Sequence, residues 1–327
     1  MSTPPEILII TRRDIRRVMQ PSDYLAAVEL GFRAGAMGKA GAPHPMHIPV
    51  TRGDFHAKGA SISLGRDYVA VKINGNFPGN PAKHGLPTIQ GAIVLADGGN
   101  GAVLAIIDSV EVTIQRTAAA SAIAAKLLAR PDSNTLLICG SGEQGRAHAI
   151  ALPDVLPIKR CLLWDRETEA AEALAAELDA VAVQDVESGA EQADVIACCT
   201  TAHEPFLDLG MVRRGTFIAA VGADNSDKNE IAPALMAAAR VVTDVTTQCI
   251  EMGDLHHAIE AGTMAAAEVY AELGQLLVSE KAGRTSQEEI FIFDSTGIGL
   301  QDVAAAAAIY ERCSGDLSVQ SISFSAP

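Results

Sequence analysis

Basic charge is scarce in this sequence. Of its 327 residues, 25 are Lys or Arg against 40 Asp or Glu, a formal charge of −15. That sign excludes a nucleic-acid backbone as partner, because phosphate binders need a basic stripe that displaces counterions. Long apolar runs are missing too. The Ala-rich stretches are broken by Lys, Arg or Asp well short of the roughly 20 residues that span a bilayer, so no membrane is expected. Met1-Ser-Thr-Pro-Pro-Glu6 lacks the basic and apolar regions of a secretion signal. The six cysteines (Cys139, Cys161, Cys198, Cys199, Cys249, Cys313) show no CxxC spacing. Most fall in or beside apolar strand-like runs, as reduced core thiols of a cytoplasmic protein do. No internal repeat or low-complexity linker is present. What remains is ordinary globular composition, 48% hydrophobic and 20% charged, with length for two domains at roughly 150 residues each.

From Thr135 onward, short β-branched runs alternate with Ala/Glu/Leu stretches. Strands are predicted at Thr135–Cys139, Arg160–Asp165, Ala193–Thr200, Thr216–Gly222, Arg240–Asp244 and Glu289–Asp294. Helical spacing of apolar residues marks Gly142–Leu152 and Thr168–Leu178 between them. Such alternation implies an α/β fold, a doubly wound parallel sheet of the Rossmann type. The N-terminal part reads differently. One helix is predicted over Thr11–Lys39, then extended runs at Tyr68–Asn74, Gln90–Ala96 and Ala102–Asp108, separated by Gly, Pro and Asn turns. These suit a mixed or antiparallel sheet. Val112–Arg130 and the Ala-rich Leu300–Arg312 are predicted helices. The expected division is a discontinuous α+β domain, 1–116 with 301–327, around a dinucleotide-binding domain, 117–300.

Directly after Thr135–Cys139 comes Gly140-Ser141-Gly142-Glu143-Gln144-Gly145, at the head of a predicted helix. Glycines there let the backbone turn and approach a pyrophosphate, and the helix start offers free N–H donors. Gly140, Ser141, Gly142, Gln144 and Gly145 are therefore candidate cofactor residues. Asp165 lies 20 residues after Gly145, at the end of the next strand. A carboxylate there accepts from ribose hydroxyls and repels a 2′-phosphate, which favours NAD. The neighbouring Arg166 keeps NADP open.

Several further stretches are rich in polar residues that helix or strand periodicity does not explain: Val69-Ala-Val-Lys72-Ile-Asn74, Phe77-Pro-Gly-Asn80, Gly85-Leu-Pro-Thr88-Ile-Gln90-Gly91 and Thr113-Ile-Gln-Arg116-Thr117. With Val221-Gly-Ala-Asp224, the Lys228/Glu230 pair and Phe293-Asp-Ser-Thr-Gly297, they make the chain resemble the ornithine cyclodeaminase/μ-crystallin family, from about Asp23 to about Glu311. The resemblance implies hydride transfer between a nicotinamide and the α-carbon of a small amino or imino acid. It also implies a Rossmann domain joined to a substrate and dimerisation domain built from both chain ends, and a homodimer. By the same carry-over Lys72 and Asp224 are catalytic, and Arg116 holds a carboxylate or a cofactor phosphate. Thr88, Thr117, Thr200, Val221, Lys228 and Ser295 join the cofactor set, and Ser141 stands where the family's glycine loop touches phosphate. Chemistry agrees with these roles. A lysine in an apolar strand loses solvation and its pKa falls, and an arginine can grip a carboxylate with two parallel hydrogen bonds.

One departure stands out. The family commonly has an arginine after a Pro near residue 46, where this chain reads Ala42-Pro-His44-Pro-Met46-His47-Ile-Pro. A buried carboxylate needs a compensating cation, and Lys58, His56 and His47 are the candidates to supply it. His44 and His47 could be read as a metal pair, but the prolines bar a helical pair and no third ligand is evident, so no metal is expected. Three functions stay open: an NAD(P)H-dependent reductase of a small α-imino acid, including reductive amination of an α-keto acid; an ornithine or lysine cyclodeaminase using NAD catalytically; and a non-catalytic NAD(P)-binding protein of the crystallin kind. The missing arginine counts against the second. The presence of Lys72, Arg116 and Asp224 counts against the third.

Overall fold

The computed structural model describes residues 6–42 and 45–323. The chain divides into two compact units. One takes the chain up to Arg116 and again from Ile298 onward; the other is Thr117–Gly297.

The first unit is built on a mixed sheet. Its strands are β1 (Ile7–Ile10), β2 (Ala40–Gly41), β3 (Met46–Val50), β4 (Gly53–Ser63), β5 (Asp67–Asn76), β6 (Ile89–Asp97) and β7 (Val103–Asp108), with Gln320–Ile322 added at one edge. The order runs Gln320–Ile322, β1, β7, β6, β5, β4, β2, and β3 pairs with β4. Only β1 and β7 run parallel; the other neighbours are antiparallel. On β5, burial alternates residue by residue from Asp67 to Ile73, the mark of a sheet covered on one side. Tyr68, Ala70 and Lys72 point to the covered side, packed with Ala60, Ile62, Ile93 and Leu95 under the helix Gly299–Cys313. Val69, Val71, Ile73 and Val94 are exposed on the other side.

The N-terminal helix differs from the single Thr11–Lys39 prediction. Two helices form, Arg12–Val18 and Pro21–Ala36, with Met19 and Gln20 extended between them. Pro21 has no N–H to donate into a continuing helix, so it starts a new one, and the Asp23 carboxylate accepts from the Gln20 N–H at 2.8 Å. The predicted Val112 helix starts earlier, at Ser109, and runs to Leu128. Asp108 sets that start by accepting from the Glu111 N–H at 2.9 Å.

The second unit is a parallel sheet of β8 (Thr135–Cys139), β9 (Arg160–Trp164), β10 (Val181–Ala182), β11 (Val195–Cys198), β12 (Phe217–Ala220), β13 (Arg240–Thr243), β14 (Ala271–Glu272) and β15 (Phe291–Asp294). Every neighbouring pair is parallel, in the order β10-β9-β8-β11-β12-β15-β13-β14. β8, β11, β12 and β15 are buried along their whole length, as strands covered on both faces must be. This is the doubly wound Rossmann architecture. Strand order reverses beside β8, and such reversals are where open α/β sheets bind ligands, at the carboxyl ends of the strands. The observed strands are up to four residues shorter than predicted because residues such as Asp165, Asp194 and Thr200 turn their backbone or side chains to loop bonds.

Candidate functional site

In the first unit, three strongly polar side chains meet on the covered face of the sheet. Lys72 on β5 donates to Asp302 Oδ1 at 2.9 Å and to Thr113 Oγ1 at 3.2 Å, and its Nζ lies 2.8 Å from Asp302 Oδ2. Arg116 Nε donates to the same carboxylate at 3.1 Å, and its Nη1 donates to Gln301 Oε1. The three side chains are only 5%, 6% and 1% exposed. Strand β5 supplies Lys72, the Ser109–Leu128 helix supplies Thr113 and Arg116, and the first turn of the C-terminal helix supplies Gln301 and Asp302. Burial lowers the Lys72 ammonium pKa to about 7; Asp302 pulls it up, while Arg116 and Lys58 push it further down. Burial works the opposite way on Asp302, but Lys72 and Arg116 together hold its carboxyl below the usual range. Two cations share one carboxylate in a dry place, which leaves an excess of positive charge.

Lys58 stands directly opposite Lys72 in the β4–β5 register, so both point to the same face. On that face, two residues along, His56 sits opposite Asn74, and His47 of β3 opposite His56. The two imidazoles stack with centroids 4.7 Å apart. Each Nε2 lies 3.4 Å from Asp54 Oδ2. Pro43 and His44, one of the residues weighed as a metal pair, lie outside the described residues. The expectation that His47 lacks further ligand-type neighbours is corrected: the hairpin brings it His56 and Asp54.

In the second unit the glycine segment forms the loop after β8, and the helix Glu143–Ala151 follows it. Gly140 has φ +102°, a conformation open to glycine, and a Cβ on Gly145 would stand 1.8 Å from the Gly140 carbonyl oxygen. The loop therefore closes only with glycine at both places. A Cβ on Gly142 would meet nothing within 4 Å, and the buried Ser141 hydroxyl has no hydrogen-bond partner among the described residues. Open space, an unsatisfied hydroxyl and a helix start fit a dinucleotide pyrophosphate. Asp165, just past β9, accepts from the Ser141 N–H at 2.7 Å and the Glu167 N–H at 3.0 Å. Arg166 is 89% exposed beside Glu167. In the helix, His148 is buried between Gln144 O and Ser121 Oγ, both at 2.8 Å, and burial lowers its pKa to about 4. It is a neutral packing residue.

The other strand ends are tied by buried carboxyls. Glu230 accepts from Thr200 N, Thr200 Oγ1 and Gly222 N at 2.6 to 2.8 Å. Asp254 accepts from the N–H groups of Glu230 and Ile231, and Asp294 from that of Leu255. Burial drives Glu230 up to about 8, with Asp254 pressing it further, drives Asp254 to about 6, and raises Asp294 as well. Ser295 donates to Asp244 Oδ2 at 2.9 Å, so its hydroxyl hydrogen serves the loop. Val221 is buried, its N–H on Cys198 O. Asp224 is 54% exposed and takes Lys228 Nζ at 2.6 Å. In the Ser109–Leu128 helix, Thr117 is buried next to Arg116 in sequence. Thr88, in the first unit, is half-buried, and its carbonyl accepts from the Phe77 N–H.

Residues 6–316 match the profile of the ornithine cyclodeaminase/mu-crystallin family. The chain belongs to that family. An alanine dehydrogenase of Archaeoglobus fulgidus is 34% identical over 311 residues, covering 94% of this chain and 95% of that one. Among solved structures, an archaeal alanine dehydrogenase dimer with bound NAD superposes with TM-score 0.93 at 33% identity, covering 98% and 99% of the two chains. The Δ1-pyrroline-2-carboxylate reductase of Thermococcus litoralis, in complex with NADH and L-proline, gives 0.91 at 27% identity, covering 97% and 100%.

Within this family member, Lys72 and Arg116 are brought together with Lys58 nearby, while His47 and His56 form their own group around Asp54. Asp302 was not among the residues singled out from sequence, yet it is the anion that joins Lys72 to Arg116. Its one local signal is Gln301-Asp302 opening a helix that continues Val303-Ala-Ala-Ala-Ala-Ala308. An acid on so apolar a helix must find a partner when that face is buried.

Proposed function

We propose that this protein is an NAD(H)-dependent reductase acting on the C=N bond of a small α-imino acid, whether a cyclic ketimine or the imine formed from an α-keto acid and ammonia. The observation that carries this reading is the buried Lys72–Asp302–Arg116 group, with two cations to one carboxylate. A substrate carboxylate completes the charge balance, and Lys58, opposite Lys72, supplies the second cation in place of the arginine the family commonly has. His47 and His56 stand instead against Asp54. Lys72, with its pKa lowered to about 7, holds or gives up a proton near neutral pH. The reduced nicotinamide supplies the hydride. The Gly140–Gly145 loop and Ser141 hold its pyrophosphate, and Asp165 accepts from the adenosine ribose, which favours NAD over NADP.

The cyclodeaminase reading asks Asp224 to orient a distal amine, but its carboxylate is already paired with Lys228 at 2.6 Å. We also read the exposed apolar face of Val69, Val71, Ile73 and Val94 as the surface through which two copies associate. From a chain mass of 34.1 kDa, sedimentation should report about twice that value. Function is tested by following NADH at about 340 nm. Consumption with Δ1-pyrroline-2-carboxylate or with pyruvate plus ammonium is expected. Ammonia release from ornithine with no net change in NADH would replace this reading with the cyclodeaminase one.

A further inference from the structure

We infer that His47, Asp54 and His56 form a binding site for one divalent transition-metal ion, of the zinc type, on the β3–β4 hairpin. Residues two apart on a strand share a face, and directly paired residues on neighbouring strands share it too. Asp54 and His56 meet the first condition on β4, and His47 and His56 the second across the hairpin. One ligand atom from each of the three lies within 4.8 Å of the others, an arrangement that no other set of His, Cys, Asp and Glu reaches among the described residues.

The spacing fits ligands better than a hydrogen-bonded triad. Each imidazole Nε2 stands 3.4 Å from Asp54 Oδ2, longer than the about 2.7–2.9 Å of a charge-assisted hydrogen bond. Two atoms each about 2.0–2.1 Å from a tetrahedral ion stand roughly 3.4 Å apart. The rings are stacked, 16° between planes, so a rotation of the imidazoles about their Cβ–Cγ bonds is needed to bring both lone pairs onto one ion. Asp54 is not satisfied by them alone: its Oδ1 is buried and has no hydrogen-bond partner among the described residues. A buried carboxylate oxygen without a donor is costly, and an ion taken by both oxygens of Asp54 would relieve that cost.

The donor set selects the ion. Two imidazoles disfavour Mg2+ and Ca2+, which take oxygen ligands, and favour Zn2+, Co2+ or a neighbour in that series. Three protein ligands leave a coordination position for water or a further ligand. Two neutral imidazoles and one carboxylate around a divalent ion carry net charge +1, on the same sheet face as Lys58 and Lys72. The metal site goes beyond the reductase reading and would stand without it, since its readout is binding.

The full-length protein, stripped with chelator, is titrated with Co2+ and followed by its visible d–d absorption, with Zn2+ as competitor and calorimetry for stoichiometry. One saturable ion per chain is expected, with a rise in melting temperature that follows occupancy. D54N, H47Q and H56Q should each weaken binding at least tenfold and abolish that rise, since even outer-shell changes cost 10–100-fold. H256Q, which removes a separate His–carboxylate pair with Glu260 at 3.4 Å, should bind as the parent does. Melting of the metal-free variants at the parent temperature shows that they fold. No saturable uptake, or uptake that D54N and H56Q leave unchanged, overturns the site, as does uptake abolished by H256Q.

Discussion

Replacing Lys72 with Met separates what this residue does for the reaction from what it does to stability. Its pKa falls from 10.5 to about 7 on folding. Between those values the unfolded chain binds a proton that the folded chain has lost, so stability rises with pH across that window and is lowest below it. At 1.36 kcal/mol per unit, the displacement amounts to roughly 5 kcal/mol against the native state at pH 6, of which about 2 kcal/mol is recovered between pH 7 and 9. Met keeps the apolar stem and cannot be charged. K72M leaves Asp302 with Arg116 at 3.1 Å, a cation that still lowers the carboxyl's pKa. Melting temperatures of parent and K72M, measured from pH 6 to pH 10, should therefore converge or cross. K72M should do best at the acid end, with a relative change on the order of 3–4 °C over the two units above pH 7. In the same variant, turnover should fall by about 10²–10⁴, the usual loss for a positioned proton-transfer group. A melting difference that does not vary with pH would show that Lys72 is not held against a solvation cost. Turnover within tenfold of the parent would remove it from the chemistry.

Asp302 is the group that opposes the fall of the Lys72 pKa. In D302N that opposition is lost while burial, Arg116 and Lys58 remain, so the Lys72 limb of the kcat/KM profile should move to lower pH by about one unit or more. An unmoved limb would detach Asp302 from that titration. For the cofactor, D165A removes the carboxylate that meets Ser141 N and Glu167 N and leaves the exposed Arg166 beside the vacated position. The ratio of kcat/KM for NADPH over NADH should rise at least about tenfold; an unchanged ratio would place ribose selection elsewhere.

The two units were unequally legible in the sequence, for reasons that lie in particular contacts. β8, β11, β12 and β15 are apolar on both faces, so they stand out as continuous runs, and the glycines after β8 sit where strand and helix periodicities change over. Such signals are local. In the first unit the decisive pairings are not. β1 pairs with Gln320–Ile322 across nearly the whole chain, and the four residues Ile7–Ile10 are too short a run to announce themselves. Lys72 was legible as a lysine in an apolar strand, but its partner Asp302 comes from 230 residues further on. The histidines were visible while their grouping was not. Spacing along the chain pairs His44 with His47, whereas the hairpin register pairs His47 with His56 and sets Asp54 beside both. A slip of one residue would turn Asp54 and His56 to the opposite face, so no spacing rule contains that cluster.

The polar groups of this chain are placed at a cost that packing alone would avoid. A first unit designed for stability would put a leucine where Lys72 stands, since a buried ion pair seldom outdoes an apolar core. It would also leave Asp302 out of a helix whose following residues are Val303 and five alanines. Lys72 and Arg116 are instead both spent on one carboxylate, and Lys58 is held across the strand from Lys72. Each further cation lowers the Lys72 pKa and makes the native state less stable without an anion. In the reductase proposed above, the binding of a small substrate carboxylate would do two things through the same electrostatics. It would relieve the repulsion among the three cations and raise the Lys72 pKa, so that the lysine would take up a proton as the substrate arrives. Proton uptake on binding follows from the excess of cations, and it is the step an imine reduction needs, because the nitrogen gains a proton as the carbon gains hydride. An overall charge of −15 does not oppose this, since exposed acids more than a Debye length away are screened by salt, while charges inside the dry group are not.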